Sequence, residues 1–181
     1  MYAGLNIWTI GHSTRELQEF IGLLALNKIS VLADVRRFPA SRKYPHFNQV
    51  ALCDSLAASG IEYLYFPELG GRRRPRPDSH NTAWRSTSFK GYADHMETDE
   101  FRSGVERLAR EGSRRPVAIM CSEAVWWRCH RALISDFLKV RRANVQHIMG
   151  PGKTEPHPFT SAARIVSGKL SYAAPDQPSE E

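Results

Sequence analysis

Short apolar runs recur along the first 150 residues, and polar, glycine or proline residues follow each of them. Runs whose length and composition suit buried strands occupy residues 6–10, 29–34, 61–66, 117–120 and 144–148. Continuous apolar runs of this length are typical of strands that are covered on both faces of a sheet. The pattern therefore predicts five short strands.

Stretches with helical character separate these runs. Helices are predicted at residues 48–59, 91–96, 99–110 and 129–139. Another helix should follow the first strand, where apolar residues that include Leu17 and Phe20 recur at helical spacing. Ser13 and Glu16 have the spacing of a capping box, which predicts that Ser13 is the N-cap of this helix. Gly60 stands where a helix C-terminus favours glycine.

Strands that alternate with helices of about a dozen residues indicate βαβ units on a parallel sheet. We therefore expect a single α/β domain over residues 1–150, with helices on both faces of a mostly parallel sheet of about five strands. A long basic loop interrupts the pattern at residues 67–90. Residues 151–181 are predicted to be a C-terminal extension whose last part, from residue 173, is disordered.

Composition and charge narrow the class of protein. The chain has 181 residues, with 25 lysine and arginine residues against 19 aspartate and glutamate residues, which gives a net charge of +6. That excess favours an anionic partner such as a nucleic acid or a nucleotide. No apolar run reaches the roughly 18 residues of a membrane span, and the amino terminus lacks a signal-peptide pattern. With three cysteines, the sequence predicts a protein of the reducing cytoplasm that binds no membrane, and its oligomeric state stays open.

Four of the predicted strands end in polar or glycine-rich sequence. The residues at these ends are His12 and Ser13, Asp34 and Arg36, Gly70 and Gly71, and Cys121 with Glu123. Parallel strands present their carboxyl ends to one crevice. We therefore expect these residues to meet in a single site.

Carboxylates and imidazoles near these ends are the candidate catalytic groups. Glu123 is the leading candidate, because a carboxylate in a crevice walled by tryptophan can act as an acid, a base or an electrostatic stabiliser. Asp34 is a second carboxylate, and His12 or His130 would serve the leaving group. The alternative is structural: Glu123 would pair with an arginine such as Arg131 or Arg36, and Asp34 would form a buried pair with an arginine that ties the loop to the sheet.

Basic and aromatic residues are the candidate ligand contacts. Arg72 begins the arginine run of the long loop, and Tyr92 follows that loop. Trp126 is expected either to stack on a base or to pack beneath its own loop. Arg131 is expected to reach a phosphate or to pair with Asp136. The predicted binding residues also include Ser13, Arg36, Gly70, Gly71 and Cys121, and this mixture suits a nucleotide or a nucleic-acid strand.

The cysteines allow two further interpretations. Cys121 at a strand end, followed by Arg128, is similar to the loops of rhodaneses and cysteine phosphatases, which would make Cys121 a nucleophile. Those loops are one residue shorter between cysteine and arginine, and a tight anion-binding loop should avoid glutamate and tryptophan. Cys121, Cys129 and His130 could bind zinc together with His12, but the close C-x-x-C or H-x-x-x-H pair of regular zinc sites is absent. The sequence therefore predicts no metal and no cofactor.

Motifs spread over most of the chain resemble one known family. They are T-I-G-H-S at residues 9–13, D-V-R-x-x-P-x-S-R at 34–42, P-x-F at 45–47, E-L-G-G at 68–71, F-K-G-Y-A-D-H-M at 89–96, and M-C-S-E at 120–123 before C-H-R. In this order they are similar to the conserved bacterial and archaeal proteins of domain of unknown function 488. The resemblance implies a Rossmann-like three-layer α/β fold and a site built from these motifs, and it names no activity.

The leading functional hypothesis is an enzyme that hydrolyses an N-glycosidic bond in a nucleotide or nucleic acid, as in glycosylase removal of a base during DNA repair or defence. The positive charge would attract phosphate, and aromatic side chains would stack on an extruded base. A carboxylate would stabilise an oxocarbenium-like state or activate water. Two alternatives stay open: a thiol-dependent transferase that uses Cys121, and a module that binds a nucleotide or nucleic acid without turnover.

Overall fold

The central sheet sets the position of every strand end that the sequence singles out. In the computed structural model, which describes residues 1–175, six strands form this sheet in the order β3-β2-β4-β1-β5-β6. Their bounds are β1 Asn6–Gly11, β2 Val31–Asp34, β3 Glu62–Tyr65, β4 Val117–Cys121, β5 Asn144–Gly150 and β6 Lys153–Pro156. The first five strands are parallel, and β6 is antiparallel to β5. The carboxyl ends of β2, β4 and β1 are therefore neighbours.

Five α-helices cover the two faces of the sheet. Their bounds are α1 Leu17–Leu26, α2 Gln49–Ala58, α3 Thr87–His95, α4 Asp99–Gly112 and α5 Arg131–Val140. Val117 and Ile119 of β4 point into the core formed with α3, α4 and α5. The alternate residues Ala118 and Met120 point into the core formed with α1 and α2. The predicted Rossmann-like three-layer α/β fold is confirmed, with six strands in the sheet where about five were expected.

The start of α1 corrects one local prediction. Ser13 is not the N-cap of this helix, because it has a φ of +48° and the helix begins only after Glu16, whose side chain makes no capping hydrogen bond. The backbone N–H groups of His12 and Ser13 instead donate to the carbonyls of Cys121 and Ser122. These hydrogen bonds extend the pairing of β1 with β4 and hold Ser13 outside the helix.

The long basic loop is anchored by a buried carboxylate. Between the 3-10 turn Pro67–Leu69 and α3, the chain has no regular structure, and α3 begins earlier than the sequence predicts. Asp94 on α3 accepts hydrogen bonds from the backbone N–H of Arg76 at 2.7 Å, the hydroxyl of Ser79 at 2.6 Å and the amide of Asn81 at 2.7 Å. Burial acts to raise the pKa of Asp94, but these hydrogen bonds outweigh it and leave the pKa below its ordinary value.

The arginine run in this loop is divided between two roles. Arg73 and Arg76 point toward α3 and α4, where their guanidinium groups lie 3.3 Å from Glu100 and 2.6 Å from Glu97. Arg72 points instead toward the carboxyl ends of the strands. The run is therefore not one continuous basic patch, because acidic side chains neutralise part of it.

The chain after residue 150 is more ordered than its weak pattern predicts. It adds β6 to the sheet and forms a hairpin of β7 Arg164–Val166 and β8 Lys169–Ser171. His157 and Tyr172 from this segment are buried, although the strands themselves are short and mostly exposed, which explains why no hydrophobic pattern marks them. Disorder is predicted from residue 173. Residues 173–175 of this stretch are described, and the N–H of Ala174 donates to the hydroxyl of Thr82 at 3.0 Å, whereas residues 176–181 lie outside the described residues. None of the helices within residues 1–175 is long and apolar enough to cross a membrane.

Candidate functional site

A cleft opens at the carboxyl ends of β1, β2 and β4. Its volume is about 650 Å³, which lies within the roughly 300–1,000 Å³ of small-ligand sites. Hydrogen bonds beyond the strand ends hold its walls together. The N–H of His12 donates to the Cys121 carbonyl at 3.0 Å, and the N–H of Val35 donates to the Met120 carbonyl at 3.0 Å. The parallel sheet thus brings these strand ends to one place.

Most of the predicted site residues line this cleft, and four do not. The lining residues among them are His12, Ser13, Arg36, Gly71, Arg72, Tyr92, Cys121, Glu123 and His130. The residues outside the lining are Asp34, Gly70, Trp126 and Arg131. The cleft also contains residues outside the predicted site, namely Arg37, Phe38, Tyr44, Phe89 and Arg128, of which the sequence had marked only Arg128, as part of a possible cysteine loop. The signal that could have found Arg37 and Phe38 is their position shortly after the end of β2.

Glu123 lines the cleft from the turn that follows β4. Its carbonyl oxygen accepts a hydrogen bond from Nη2 of Arg131 at 2.6 Å, and it packs so closely on Gly11 that a Cβ there would overlap it. The Glu123 side chain is exposed. The predicted wall of tryptophan is wrong, because Trp126 and Trp127 do not line the cleft. The structural alternative is wrong as well, since Arg131 bonds the carbonyl of Glu123 and not its carboxylate, and Arg36 pairs with Asp34.

Asp34 is fully buried beneath the cleft and holds Arg36 in place. One of its oxygens accepts hydrogen bonds from Nη2 of Arg36 at 2.7 Å and from the hydroxyl of Tyr63 at 2.5 Å, and the other accepts from Nε of Arg36 at 2.9 Å. Burial and the neighbouring Asp34 raise the pKa of Tyr63, so its hydroxyl remains a donor. The expectation that Asp34 is catalytic is corrected, because these donors occupy both oxygens. The alternative of a buried pair that ties the loop to the sheet is confirmed.

His12 and His130 face the cleft as neutral imidazoles. Nδ1 of His12 lies 3.0 Å from the Ser13 carbonyl, and Nε2 of His130 lies 2.8 Å from the Val35 carbonyl. A carbonyl only accepts, so these two nitrogens carry the protons. Burial lowers the pKa of each ring to about 4, which leaves both uncharged at pH 7. The acceptor nitrogens are therefore Nε2 of His12, which accepts from Nη1 of Arg36 at 3.4 Å, and Nδ1 of His130.

Cys121 and Cys129 bring their sulfur atoms into bonding contact in the wall of the cleft. Their Cα atoms lie 7.6 Å apart. Nδ1 of His130 lies 3.6 Å from Sγ of Cys129, and the backbone N–H of Arg131 donates to the same sulfur at 3.4 Å. The 3-10 turn Trp126–Arg128 reverses the chain and returns Cys129 to the end of β4. From the sequence, this meeting is expected only within a zinc site, which the sequence disfavours because eight positions separate the two cysteines and the close pair of a regular zinc site is absent.

Trp126 and Arg131 lie beneath the loop and not in the cleft. The indole of Trp126 stacks on the ring of His147 with the centroids 4.6 Å apart, and Nη1 of Arg131 lies 3.4 Å from the hydroxyl of Thr9. Burial lowers the pKa of Arg131 to about 9, although the charge of Glu123 opposes the shift, so the guanidinium stays charged at pH 7. The expected cleft positions of Trp126 and Arg131 are wrong, and the packing alternative for Trp126 is confirmed.

One wall of the cleft combines guanidinium groups with aromatic rings. Arg37, Arg72 and Arg128 are exposed there. The guanidinium of Arg72 lies 5.7 Å from the centre of the Phe38 ring, which is 62% exposed. Tyr92 offers only its ring, because its hydroxyl donates to a backbone carbonyl at 2.7 Å. This wall presents the flat, cationic surface that bases and phosphates favour.

Close packing explains the glycine pair at the end of β3. A Cβ at Gly70 would come within 3.1 Å of the Cα of Arg37, and a Cβ at Gly71 would come within 2.8 Å of Nδ1 of His130. Only Gly71 lines the cleft. The predicted ligand contact at Gly70 is therefore corrected: this residue lets two loops approach each other.

Comparison with known proteins gives one match. The family model described as domain of unknown function DUF488 matches residues 16–138, which is more than half of the chain. The matched segment contains the loops that follow β2, β3 and β4, and it leaves out the segment from β1 to residue 15. None of the curated proteins and none of the solved structures matches the chain. Since the match spans most of the cleft as well as most of the chain, the protein belongs to the family of domain of unknown function DUF488.

Proposed function

We propose that the protein is an enzyme that binds a nucleotide or a nucleic-acid strand in this cleft and hydrolyses its N-glycosidic bond. The observation that carries the proposal is the charge of the lining: among residues 1–175, four arginines accompany a single carboxylate, that of Glu123. Arginine suits phosphate because its guanidinium forms paired, charge-assisted hydrogen bonds. An isolated carboxylate in such a site suits the developing positive charge of a sugar from which a base departs.

The ligand would be held by charge on one side and by stacking on the other. Asp34 neutralises most of the charge of Arg36, so Arg37, Arg72 and Arg128 are the cations that remain for phosphate. Phe38 offers an exposed ring beside Arg72. Stacking of a base on an aromatic ring contributes about 1–3 kcal/mol and depends little on the identity of the base.

In the proposed reaction, water adds to the anomeric carbon while the carbon–nitrogen bond to the base breaks. The carboxylate of Glu123 accepts a proton from this water, and the departing base keeps the bonding electron pair and takes up a proton from solvent. His12 and His130 are uncharged at pH 7, so they act as hydrogen-bond partners and not as proton donors. The role that the sequence predicts for His12 and His130 is thereby restricted to hydrogen bonding with the departing base.

The test of the proposed reaction is release of free base from nucleosides, nucleotides and modified-base duplexes, measured by chromatography for the wild type and for Glu123→Gln. Removal of a general base costs about 10²–10⁴-fold in rate, so we expect at least a hundredfold loss. Glu106→Gln, an exposed glutamate of α4 outside the cleft, is the matched control and should keep full activity. Equal rates for Glu123→Gln and the wild type contradict the role of Glu123.

The same experiments separate catalysis from binding alone. Arg37→Ala and Arg72→Ala should weaken binding of an oligonucleotide in a salt-dependent way, whereas Arg110→Ala, an exposed arginine of α4, should not. Tight, salt-sensitive binding without any released base would identify a binding module in place of an enzyme. Absence of binding at low salt contradicts both functions.

A second candidate function is thiol chemistry through Cys121, and the position of its sulfur in the cleft wall favours it. Such chemistry requires a thiolate near neutral pH, whereas an ordinary thiol has a pKa of about 8.5. Iodoacetamide labelling of the reduced, metal-free protein as a function of pH measures this property. Labelling of Cys121 that needs alkaline pH, as for an ordinary thiol, excludes this candidate.

A further inference from the structure

We propose that Cys121, Cys129 and His130 bind a zinc ion whose remaining coordination position opens into the cleft. The side-chain ligand atoms of these three residues lie within 4.8 Å of one another, and all three residues line the cleft. Two sulfurs and one imidazole nitrogen form a donor set that selects zinc among the common divalent ions. His12 does not belong to this group, because its Nε2 faces Nη1 of Arg36 at 3.4 Å and its ring lies outside the cluster of ligand atoms.

The backbone spacing of the two cysteines suits a bridging metal. Cysteines joined by a disulfide have their Cα atoms about 4.4–6.8 Å apart, whereas those of Cys121 and Cys129 are 7.6 Å apart. Zinc holds each sulfur at about 2.3 Å in tetrahedral geometry, which places two bound sulfurs roughly 3.8 Å from each other. The Cα distance therefore fits a metal between the sulfurs better than a bond between them.

The ring of His130 is already oriented as a ligand. Its Nε2–H donates to the Val35 carbonyl at 2.8 Å, so Nδ1 carries the free lone pair, and Nδ1 faces Sγ of Cys129 at 3.6 Å. Zinc-bound histidines characteristically donate their other N–H to a carbonyl or carboxylate, which fixes the tautomer. Gly71 completes the arrangement, because any side chain there would occupy the space beside Nδ1.

The surroundings of Cys129 stabilise a negative sulfur. The backbone N–H of Arg131, the first residue of α5, donates to Sγ of Cys129 at 3.4 Å. The amino terminus of a helix favours the thiolate over the thiol. Zinc binding would release one proton from each cysteine to solvent, and the two thiolates would balance the double positive charge of the ion.

Three protein ligands leave one position of a tetrahedral zinc ion open, as in catalytic sites, whereas structural sites use four. Glu123 lines the same cleft two residues after Cys121. In nucleobase deaminases, zinc bound by one histidine and two cysteines activates water while a glutamate transfers protons. Metal binding does not depend on the proposed function, but the reaction of zinc-activated water with a nucleotide rests on that function.

The first test uses the wild-type protein, reduced and freed of metal by a chelator, without any substrate. Zinc should bind at one ion per chain, and cobalt in its place should give the thiolate-to-metal absorption of a tetrahedral site. Zinc should also suppress iodoacetamide labelling of Cys121 and Cys129 by about tenfold or more, and chelator should restore it. Cys53 on α2, outside the cleft, is the internal control and should be labelled equally in both states. Unchanged labelling of Cys121 and Cys129 overturns the proposal.

The second test uses variants of the ligands. Cys129→Ser and His130→Gln should weaken zinc affinity by more than about 100-fold, the upper range for loss of an outer-shell partner alone. Cys53→Ser and His80→Gln, whose parent residues lie outside the cluster, should bind as tightly as the wild type. Undiminished affinity in Cys129→Ser, or a Cys121–Cys129 disulfide that persists in excess thiol reductant and zinc, overturns the proposal. Since no measurement involves turnover, failure of the glycosidase proposal leaves these results unaffected.

Discussion

The cleft and the cluster around Asp136 are two polar regions that use their polar atoms in opposite ways. The Asp136 cluster consists of Asp136, His147, His157, Thr160 and Tyr172. Its carboxylate accepts hydrogen bonds from the imidazole of His157, from the backbone and hydroxyl of Thr160, and from the hydroxyl of Tyr172. In the cleft, the side chains of Glu123, Arg37 and Arg128 end in solvent. Satisfied hydrogen bonds mark a region that stabilises the fold, whereas open ones mark a region that can bind a ligand.

A chain of hydrogen bonds connects the two regions, and every donor in it points from Arg131 toward Asp136. A carboxylate only accepts, so Nε2–H of His157 donates to Asp136 at 2.9 Å, and Nδ1 of His157 accepts from His147 at 2.8 Å. Nδ1 of His147 then accepts from the hydroxyl of Thr9 at 2.6 Å. Thr9 accepts in turn from Arg131, which holds the Glu123 carbonyl. The buried cluster therefore fixes the loop on which the open cleft depends.

The largest effect is expected from Asp136→Asn. An amide replaces two negatively charged acceptors, so several buried donors lose their partner, and breaking such a network costs about 3 kcal/mol or more of the free energy of unfolding. Urea denaturation measures the loss. Asp54→Asn, an exposed aspartate of α2, is the matched control and should change stability by less than about 0.5 kcal/mol. A small loss in Asp136→Asn would remove the distinction between the two regions.

Acid should destabilise the protein through His147. Burial lowers its pKa to about 2, and the nearby charge of Arg131 adds to the shift. The unfolded chain binds a proton near pH 6.5 and the folded chain does not, so stability falls as pH drops below this value, by about 2 kcal/mol from pH 7 to pH 5 for this residue. The unfolding free energy as a function of pH should have a shallower slope in His147→Gln. His80→Gln, whose parent side chain is 64% exposed, should keep the wild-type slope.

The basic loop tests whether satisfied hydrogen bonds also keep a segment next to the cleft in one conformation. Asp94→Asn should lower the free energy of unfolding by about 1–2 kcal/mol, because charge-assisted hydrogen bonds from Arg76, Ser79 and Asn81 weaken. Limited trypsin digestion should then cleave faster after Arg72 or Arg73, the arginines of the run that no proline follows. Asp99→Asn, with a parent side chain that is 97% exposed, is the control. Wild-type cleavage rates in Asp94→Asn would show that Asp94 does not anchor the loop.

The smallest expected effect on stability belongs to the cleft. Glu123→Gln should change the free energy of unfolding by less than about 0.5 kcal/mol, because its exposed carboxylate leaves no buried donor without a partner. Thermal and urea denaturation of the variant that tests the proposed reaction measure this directly. A loss of more than 1–2 kcal/mol would show that Glu123 stabilises the fold, as Asp136 does.

Local patterns in the sequence predict most of the fold correctly. The five parallel strands follow from apolar runs that are buried on both faces, and Gly60 at the end of α2 has the predicted role, with a φ of +73°. The pattern fails where stability comes from distant partners. Ser13 has the spacing of a cap, yet pairing with the loop after β4 decides its conformation. The strands after residue 150 have no apolar pattern because they are exposed.

The sequence by itself determined the strands, their parallel arrangement and the polar character of the ends that meet in the cleft, because these follow from local periodicity and strand geometry. Only the tertiary structure decided which polar groups stay available to bind a ligand. Asp34 is occupied by Arg36, and the turn before Cys129 returns that residue to Cys121 and His130. Hydrogen-bond partners and clusters of ligand atoms are set by side-chain directions and by turns of the backbone, and hydrophobic periodicity does not encode these even for residues close in the chain, such as Asp34 and Arg36.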